Sequence, residues 1–263
     1  MKLPQQTIKP HNSLKNHQKK PLFLILFGLL LNIFSIHSQT QNSDIASYNW
    51  FDKTVGKSNL EINNGPFFSN SFKTTGDNNL YLVNDKYIVG NLTYNGQIYY
   101  EVKLNYDIFR DILVLNSTES ELVGISLNQE KVDSFTIYNK NFVKLNSDKY
   151  QLPEFKTGYY ETSPFENNII LYIKHHKKVG YKILKEDGVY FAFENDDTYY
   201  LDYKKVLYEI NGKSDIVKIF PDQKKRISEY YSKYKEIRKA DLNEFMKNLV
   251  KSIIPSDYNS TIK

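Results

Sequence analysis

Cysteine is absent from all 263 residues. Without it there is no disulfide, no thiol nucleophile and no cysteine to which a bacterial lipoprotein could attach its lipid. Exported eukaryotic domains often depend on disulfides, whereas a chain of this length buries enough surface to fold without them. The absence therefore favours a bacterial envelope protein that is held together by its core alone.

Histidine is also scarce, and only His175 and His176 follow residue 38. Two histidines are too few for most His-rich zinc sites, and neighbouring residues of a strand point to opposite faces. We therefore interpret the pair as the end of a strand that leads into a turn at Lys177-Lys178. A functional role for either histidine is the alternative.

The densest acidic cluster is Glu194, Asp196 and Asp197. Alternating carboxylates can bind Ca²⁺, but Asn and Asp are also favoured in turns for backbone reasons. We interpret the cluster as a hairpin turn between two strands, and we predict no metal and no cofactor.

No apolar run reaches the roughly 20 residues that a membrane-spanning helix needs. The run at residues 22–34 follows five lysines with no acidic residue among them, and Ser38 offers a small side chain at a cleavage position. The pattern predicts a signal peptide over residues 1–38, with an uncleaved N-terminal anchor as the alternative. Both place the domain outside the cytoplasm, in the periplasm, associated with the outer membrane or outside the cell.

After residue 38 the chain has no charge excess, because five of its 35 basic residues lie in that first segment and all 30 acidic residues follow it. Nucleic acid is therefore not an expected partner. The sequence also lacks the nucleophile-elbow, phosphate-loop, dinucleotide-binding and zinc-protease motifs. These absences favour a non-catalytic protein, although a pair of catalytic carboxylates stays open because spatial separation defines it.

The body of the chain is predicted to be an antiparallel β domain over residues 80–212, with ten or more short strands. A sandwich, an open barrel or a curved meander would accommodate them. Residues 39–79 read as an irregular lead-in with short strands. Residues 213–263 show helical spacing and predict two to three α-helices that pack on the β domain.

The clearest local signal is Asn95-Gly96, which suits a type I′ turn between strands at about residues 87–94 and 97–106. On the second of these strands, alternation assigns one apolar face to the core. Its members are Ile98, Tyr100, Val102 and Leu104.

Tyrosine is the one residue in excess, with 22 copies and several doublets. On a strand, one member of a doublet faces the core and the other faces outward, where its ring can stack on a sugar or a peptide. We take Tyr99, Tyr159 and Tyr200 as candidate ligand-binding residues. High β-propensity explains the same enrichment without a ligand.

Several short segments occur in an order that resembles uncharacterised secreted proteins of Bacteroidota, and the resemblance implies a compartment and an architecture but no activity. The segments are Tyr94-Asn95-Gly96-Gln97-Ile98-Tyr99-Tyr100, Leu104-Asn105-Tyr106-Asp107, Ile125-Ser126-Leu127, Val132, Phe135, Gly158-Tyr159-Tyr160-Glu161 and Ile219-Phe220-Pro221-Asp222-Gln223-Lys224-Lys225. We thus expect an exported, non-catalytic β domain that binds a partner protein, an envelope component or a small ligand. The alternatives are a carbohydrate-binding module and a secreted hydrolase acting on glycans or peptides.

Overall fold

A computed structural model describes residues 36–56, 59–116, 123–150 and 152–254. The chain divides into two compact units, the first ending at Trp50 and the second beginning at Phe51. The signal peptide predicted at residues 1–38 lies outside the described residues except for its last three positions. Of the described helices, none combines the length and the apolar character that crossing a membrane requires.

The expected irregular lead-in is wrong at its start, because helix α1 occupies Ile36–Val55. No glycine or proline interrupts these 20 residues, so nothing breaks the helix until Gly56, whose φ of 86° ends it in the left-handed conformation. Beyond Gly56 the described lead-in contains a short 3₁₀ turn at Glu61–Asn63 and two strands of two residues each.

The second unit is mainly β, as predicted, with fourteen described strands in two sheets. In chain order they are β1 Phe67–Phe68, β2 Lys73–Thr74, β3 Ile88–Tyr94, β4 Gln97–Asp107, β5 Ile112–Asn116, β6 Gly124–Ser126, β7 Val132–Ile137, β8 Lys140–Leu145, β9 Gly158–Phe165, β10 Ile169–Lys174, β11 Lys177–Lys185, β12 Gly188–Asn195, β13 Thr198–Tyr203 and β14 Val206–Ile210. Short 3₁₀ turns lie at Ser147–Lys149 and Glu166–Asn168.

The large sheet has eleven antiparallel strands in the order β1-β6-β5-β4-β3-β7-β8-β9-β10-β13-β14. Its outer strands do not pair with each other, so the sheet is open, which a sandwich or an open barrel accommodates. The small sheet has the order β11-β12-β2, and β2 runs parallel to β12. Every other strand pairing in the two sheets is antiparallel.

The predicted hairpin at Asn95-Gly96 is confirmed, since both residues have positive φ, 52° and 77°, between β3 and β4. The predicted core face of β4 is wrong at its start. Tyr99 is buried and Ile98 is 37% exposed. A bulge at Glu101, whose φ is 55°, inserts one residue into the strand and reverses the side-chain alternation before it.

Four α-helices and a 3₁₀ turn follow the strands, so the helical region is more finely divided than the two to three helices predicted. They are α2 Lys213–Ile219, the 3₁₀ turn Pro221–Gln223, α3 Lys224–Lys233, α4 Lys235–Ala240 and α5 Leu242–Ile253. Asp241 caps α5, because its side chain accepts a hydrogen bond from the backbone N–H of Glu244. The apolar faces of α2, α3 and α5 pack on β10, β13 and β14, as in any helix-covered sheet.

Strands β10 and β11 follow each other with only His175 and His176 between them, and β12 and β13 are separated only by Asp196 and Asp197. The four strands form one long hairpin that leaves the large sheet, where β10 pairs with β13, and enters the small sheet, where β11 pairs with β12. The turn predicted at Lys177-Lys178 is therefore wrong, as is the plain hairpin turn predicted at residues 194–197. Both segments are crossings between the two sheets. We call β11 and β12 the arm.

Candidate functional site

The three tyrosines predicted to face a ligand are all buried, with exposures of 3% for Tyr99, 0% for Tyr159 and 4% for Tyr200. The prediction of an outward stacking platform formed by these residues is therefore wrong. Tyr99 points inward because of the bulge in β4. Tyr159 and Tyr200 belong to the doublets Tyr159-Tyr160 and Tyr199-Tyr200, which lie where the large sheet is covered on both faces.

On one side of the sheet, Tyr159 lies among aromatic rings, 5.8 Å from Tyr106 and 5.2 Å from Phe135 between ring centroids. On β13, helices cover the face of Tyr199, and Phe155 covers the opposite face at 4.9 Å from the Tyr200 ring. All four tyrosines of these two doublets are thus core residues. Their enrichment follows from packing and β-propensity.

The crossing between the sheets holds five consecutive basic residues at positions 174–178. We call this segment, together with Asp196 and Asp197, the junction. Its side chains do not extend freely into solvent, because each of the five contacts acidic or carbonyl oxygen atoms. The junction therefore fixes the base of the arm through two buried polar networks and one exposed group of contacts.

The first network surrounds His175. Its Nε2 atom lies 2.6 Å from Glu161 Oε2, and its Nδ1 atom lies 3.2 Å from Asp197 Oδ2. Two lysines also bind Glu161, Lys140 at 2.9 Å and Lys247 from α5. A buried carboxylate requires such partners, because an unpaired charge in the interior is strongly unfavourable. The network joins the large sheet, the junction and the last helix.

Helix α5 contributes a second contact one turn earlier. Asn243 and Lys247 are four residues apart and so share one face of the helix. The Asn243 Nδ2 group donates to Asp197 Oδ2 at 2.8 Å, and its Oδ1 atom accepts from the Tyr199 hydroxyl at 2.7 Å. The C-terminal helix therefore holds the crossing in place by polar contacts as well as by its apolar face.

The pKa values of the network follow from these contacts. Burial alone would lower the pKa of His175, but hydrogen bonds and charges from Asp197 and Glu161 outweigh it and raise the pKa above 6.5. Burial alone would raise the pKa of Glu161, but His175, Lys247 and Lys140 lower it to about 2. The pKa of Asp197 is lowered mainly by His175, against the effect of burial. A charged form of all three groups is favoured.

The directions of these pKa shifts predict a pH range in which the network stabilises the fold most. The contribution of His175 is complete below its ordinary pKa of 6.5 and is lost as the pH rises through the higher folded value. The contribution of Glu161 is complete above 4.5 and is lost as the pH falls towards about 2. The free energy of unfolding, measured by urea titration across pH, should therefore carry its largest contribution from this network between pH 4.5 and 6.5.

The matched test compares His175→Gln with His176→Gln, the partly exposed neighbour. We expect His175→Gln to reduce the loss of stability above pH 6.5 by more than His176→Gln does, because His175 is buried between two carboxylates. Equal slopes for all three proteins would contradict the assigned role of His175.

The second network surrounds Asp111, in the turn between β4 and β5. Its Oδ1 atom lies 2.7 Å from Lys174 Nζ and accepts a hydrogen bond from the Tyr106 hydroxyl, while its Oδ2 atom accepts from Gln129 at 3.0 Å. Lys174 also donates to the carbonyl oxygen of Tyr159 at 3.2 Å. Burial lowers the pKa of Lys174, and Asp111 offsets this effect only in part. The Asp111–Lys174 pair therefore attaches the first residue of the junction to the turn after β4.

Glycine makes room for this pair. A Cβ atom at Gly158 would lie 2.2 Å from Asp111 Oδ2 and 2.5 Å from Lys174 Nζ. Both distances are below van der Waals contact, so any side chain at this position would displace the two charged groups. Gly158 thus permits the contact between Asp111 and Lys174, although it carries no functional group itself.

The exposed contacts of the junction engage the acidic cluster found in the sequence. Asp196 lies 2.7 Å from Lys178 Nζ and 3.7 Å from His176 Nδ1, and its backbone N–H donates to the carbonyl of His176 at 2.8 Å. Lys177 Nζ donates to the Asn79 carbonyl at 2.7 Å. Over the residues that the structure describes, no group of three or more His, Asp or Glu side chains could hold a metal ion.

Beyond the junction, the arm carries exposed apolar side chains on both of its strands. Leu184 is 82% exposed, Tyr181 58% and Val189 41%. At its base the face carrying Phe191 and Phe193 packs on Phe72, at ring distances of 4.9 and 5.6 Å. The arm thus has an aromatic base within the fold and an apolar tip in solvent.

Sequence reasoning missed the arm and the junction, although a signal was available. Five basic residues at 174–178 and the acidic cluster at 194–197 are complementary in charge, and a long antiparallel hairpin brings them together. The sequence pattern instead predicted a strand end at His175-His176 followed by a turn at Lys177-Lys178.

Comparison with known proteins adds no relative to this description: no family model, no curated protein and no solved structure matches the chain.

Proposed function

We propose that this protein is an exported, non-catalytic β domain of the bacterial envelope that binds a partner protein through the arm. The observation that carries the proposal is the exposure of Leu184, Tyr181 and Val189 on a hairpin whose base is anchored. Large apolar side chains grouped in solvent are typical of interaction sites. An isolated exposed apolar residue would need no such explanation. Leu184 and Val189, however, are paired across the two strands and share one face of the arm, and Tyr181 adds an exposed ring on the other face.

The junction supports a binding role for the arm. Residues 174–178 are engaged by partners from the large sheet, from the turn after β4 and from the lead-in, and α5 in turn holds Glu161 and Asp197. Little conformational freedom is therefore left to lose when the arm binds. A partner that contacts the tip would therefore meet a preformed surface. The two buried networks and the exposed contacts together give each charged group of the junction a partner within the fold.

Export rests on the lysine-rich segment and the apolar run before Ser38. The corresponding test is the intact mass of the protein recovered from the periplasm or the medium of its own host. A mass that starts at Gln39 supports a cleaved signal peptide. A full-length mass in the membrane fraction supports the uncleaved anchor, and recovery in the cytoplasm would contradict the proposal.

Binding is tested by a photo-crosslinking amino acid placed at Leu184 in the host cells. The control position is Val206, which is 48% exposed beside the lysine turn between β13 and β14. We expect one discrete cross-linked product at position 184 and none at 206, with the partner identified by mass spectrometry. Absence of a product at 184, or the same products at both positions, would contradict a binding role for the arm.

A further inference from the structure

We infer that the free edge of β11 binds an extended acidic segment of the partner protein, which adds to the small sheet as a further strand. This inference rests on the proposed function, because it specifies how the arm binds. It follows from the backbone, the charges and the side-chain pattern of β11, each of which is argued below.

The backbone of β11 has one unused edge. The strand is outermost in the order β11-β12-β2, and in the described part of the chain it pairs only with β12. The other edge of β12 is occupied by β2 and by Asn78, whose amide exchanges hydrogen bonds of 2.9 and 2.7 Å with the backbone of Phe193. The N–H and C=O groups on the outer edge of β11 are therefore the ones available to an added strand.

The usable part of this edge lies towards the tip. A bulge between Val179 and Tyr181 interrupts the register of β11 with β12. From Tyr181 to Lys185 the pairing is regular, which gives five consecutive residues, or roughly 17 Å of strand. An added strand would have its centre there.

The charges of β11 identify the chemistry of the partner. Its nine residues include four lysines and no acidic residue. Lys177 and Lys178 are engaged at the junction, whereas Lys182 and Lys185 lie over the rings of Phe191 and Tyr190, at 5.3 and 4.3 Å from the ring centroids. Among the described ion pairs, neither of these two lysines faces a carboxylate. They repel a second copy of β11 and attract an acidic strand.

Each face of β11 carries both a lysine and an exposed apolar side chain. Successive side chains of a strand point to opposite faces. In the regular part of β11, Lys182 and Leu184 therefore lie on one face, and Tyr181 and Lys185 lie on the other. Each face thus offers one cation and one exposed apolar group. A partner strand fits when acidic and apolar residues alternate along each of its faces, which in sequence means pairs of acidic residues followed by pairs of uncharged ones.

The probe is a fluorescent peptide with the sequence Glu-Glu-Val-Thr repeated twice, titrated with the purified protein and followed by anisotropy. Its controls are the same peptide with lysine in place of glutamate and a third version with N-methyl groups on alternate residues, which removes strand hydrogen bonds. The protein variants are Lys182→Glu with Lys185→Glu, and Lys225→Glu on the exposed side of α3 as the matched control.

We expect the acidic peptide alone to bind, with an affinity that falls with salt, and hydrogen exchange in β11 to slow when it does. The double variant should weaken binding about tenfold and should prefer the lysine peptide, because two attractive pairs become repulsive. Lys225→Glu should change nothing. Equal binding of acidic and lysine peptides, insensitivity to N-methylation, or protection outside β11 would overturn the inference.

Two further outcomes separate this inference from the proposed function. If cross-linking at Leu184 yields a partner but no acidic peptide binds, strand addition is overturned and the arm binds by its side chains alone. If sedimentation shows that the protein forms dimers through β11, a second copy occupies the edge and the acidic partner is overturned.

Discussion

Replacement of Glu161 by Gln is expected to lower the free energy of unfolding by about 3–5 kcal/mol at pH 6, as measured by urea denaturation. The side chain is 3% exposed and neutralises three positive groups, His175, Lys140 and Lys247. Glutamine keeps the shape but removes the charge, so the cations lose their shared anion in a buried place. Removal of one partner from a buried ion pair costs far more than the intact pair contributes to stability.

The matched control is Glu166→Gln, an exposed carboxylate in the 3₁₀ turn that follows β9. Its effect should stay within about 0.5 kcal/mol, as is usual for surface positions. Similar small effects at both positions would show that the network at His175 does not stabilise the fold. Activity is not needed for this comparison, so it can be made on the isolated protein.

Replacement of Gly158 by Val is expected to destabilise the protein by about 3 kcal/mol, because the new side chain separates Asp111 from Lys174. The atoms that it meets are the ends of side chains, so the chain can fold around it, but only by breaking a largely buried ion pair. Unfolding by urea with tryptophan or tyrosine fluorescence measures the change.

The control for this substitution is Gly212→Val. An added Cβ at Gly212 meets no atom within 4 Å, and its φ of 179° is open to any residue. It should therefore be close to neutral. If Gly158→Val is insoluble, Gly158→Ala places a single carbon at the same point and should still cost more than Gly212→Ala. Equal effects at the two glycines would contradict the close approach at the junction.

Features governed by neighbours in sequence could be predicted, and features governed by distant residues could not. The turn at Asn95-Gly96 and the cap Asp241 on α5 follow from local backbone chemistry, and both are present. The bulge at Glu101 has no local signal, since a glutamate rarely takes a positive φ, and it reversed the predicted facing of Ile98 and Tyr99.

The tyrosine doublets show the same limit. An alternating pattern assigns Tyr200 to the outside of β13 only if one face of the sheet is wet. In the folded chain helices cover one face and Phe155 covers the other, and neither covering element is visible from the strand itself. The junction could not be predicted for a related reason, because the carboxylates that contact Lys174 and His175 come from the turn after β4, from β9 and from the segment between β12 and β13.

The long hairpin joins a buried half in the large sheet to an exposed half that forms the arm. Its inner half, β10 and β13, lies within the core of the large sheet, and its outer half presents Tyr181, Leu184 and Val189 to solvent. The junction between them is held by charges that an apolar core would otherwise exclude. Stabilising the base of a binding element in this way favours a fixed geometry over adaptability.

The most direct test of the central claim is the affinity of the partner recovered by cross-linking for two variants, Leu184→Asn on the arm and Val206→Asn away from it. Truncation of a central apolar contact costs about 2 kcal/mol or more, which corresponds to about a thirtyfold loss of affinity. We expect that loss for Leu184→Asn and an unchanged dissociation constant for Val206→Asn, with both variants as stable as the parent. Equal affinities for the two variants would contradict the account, because the arm would then carry none of the binding.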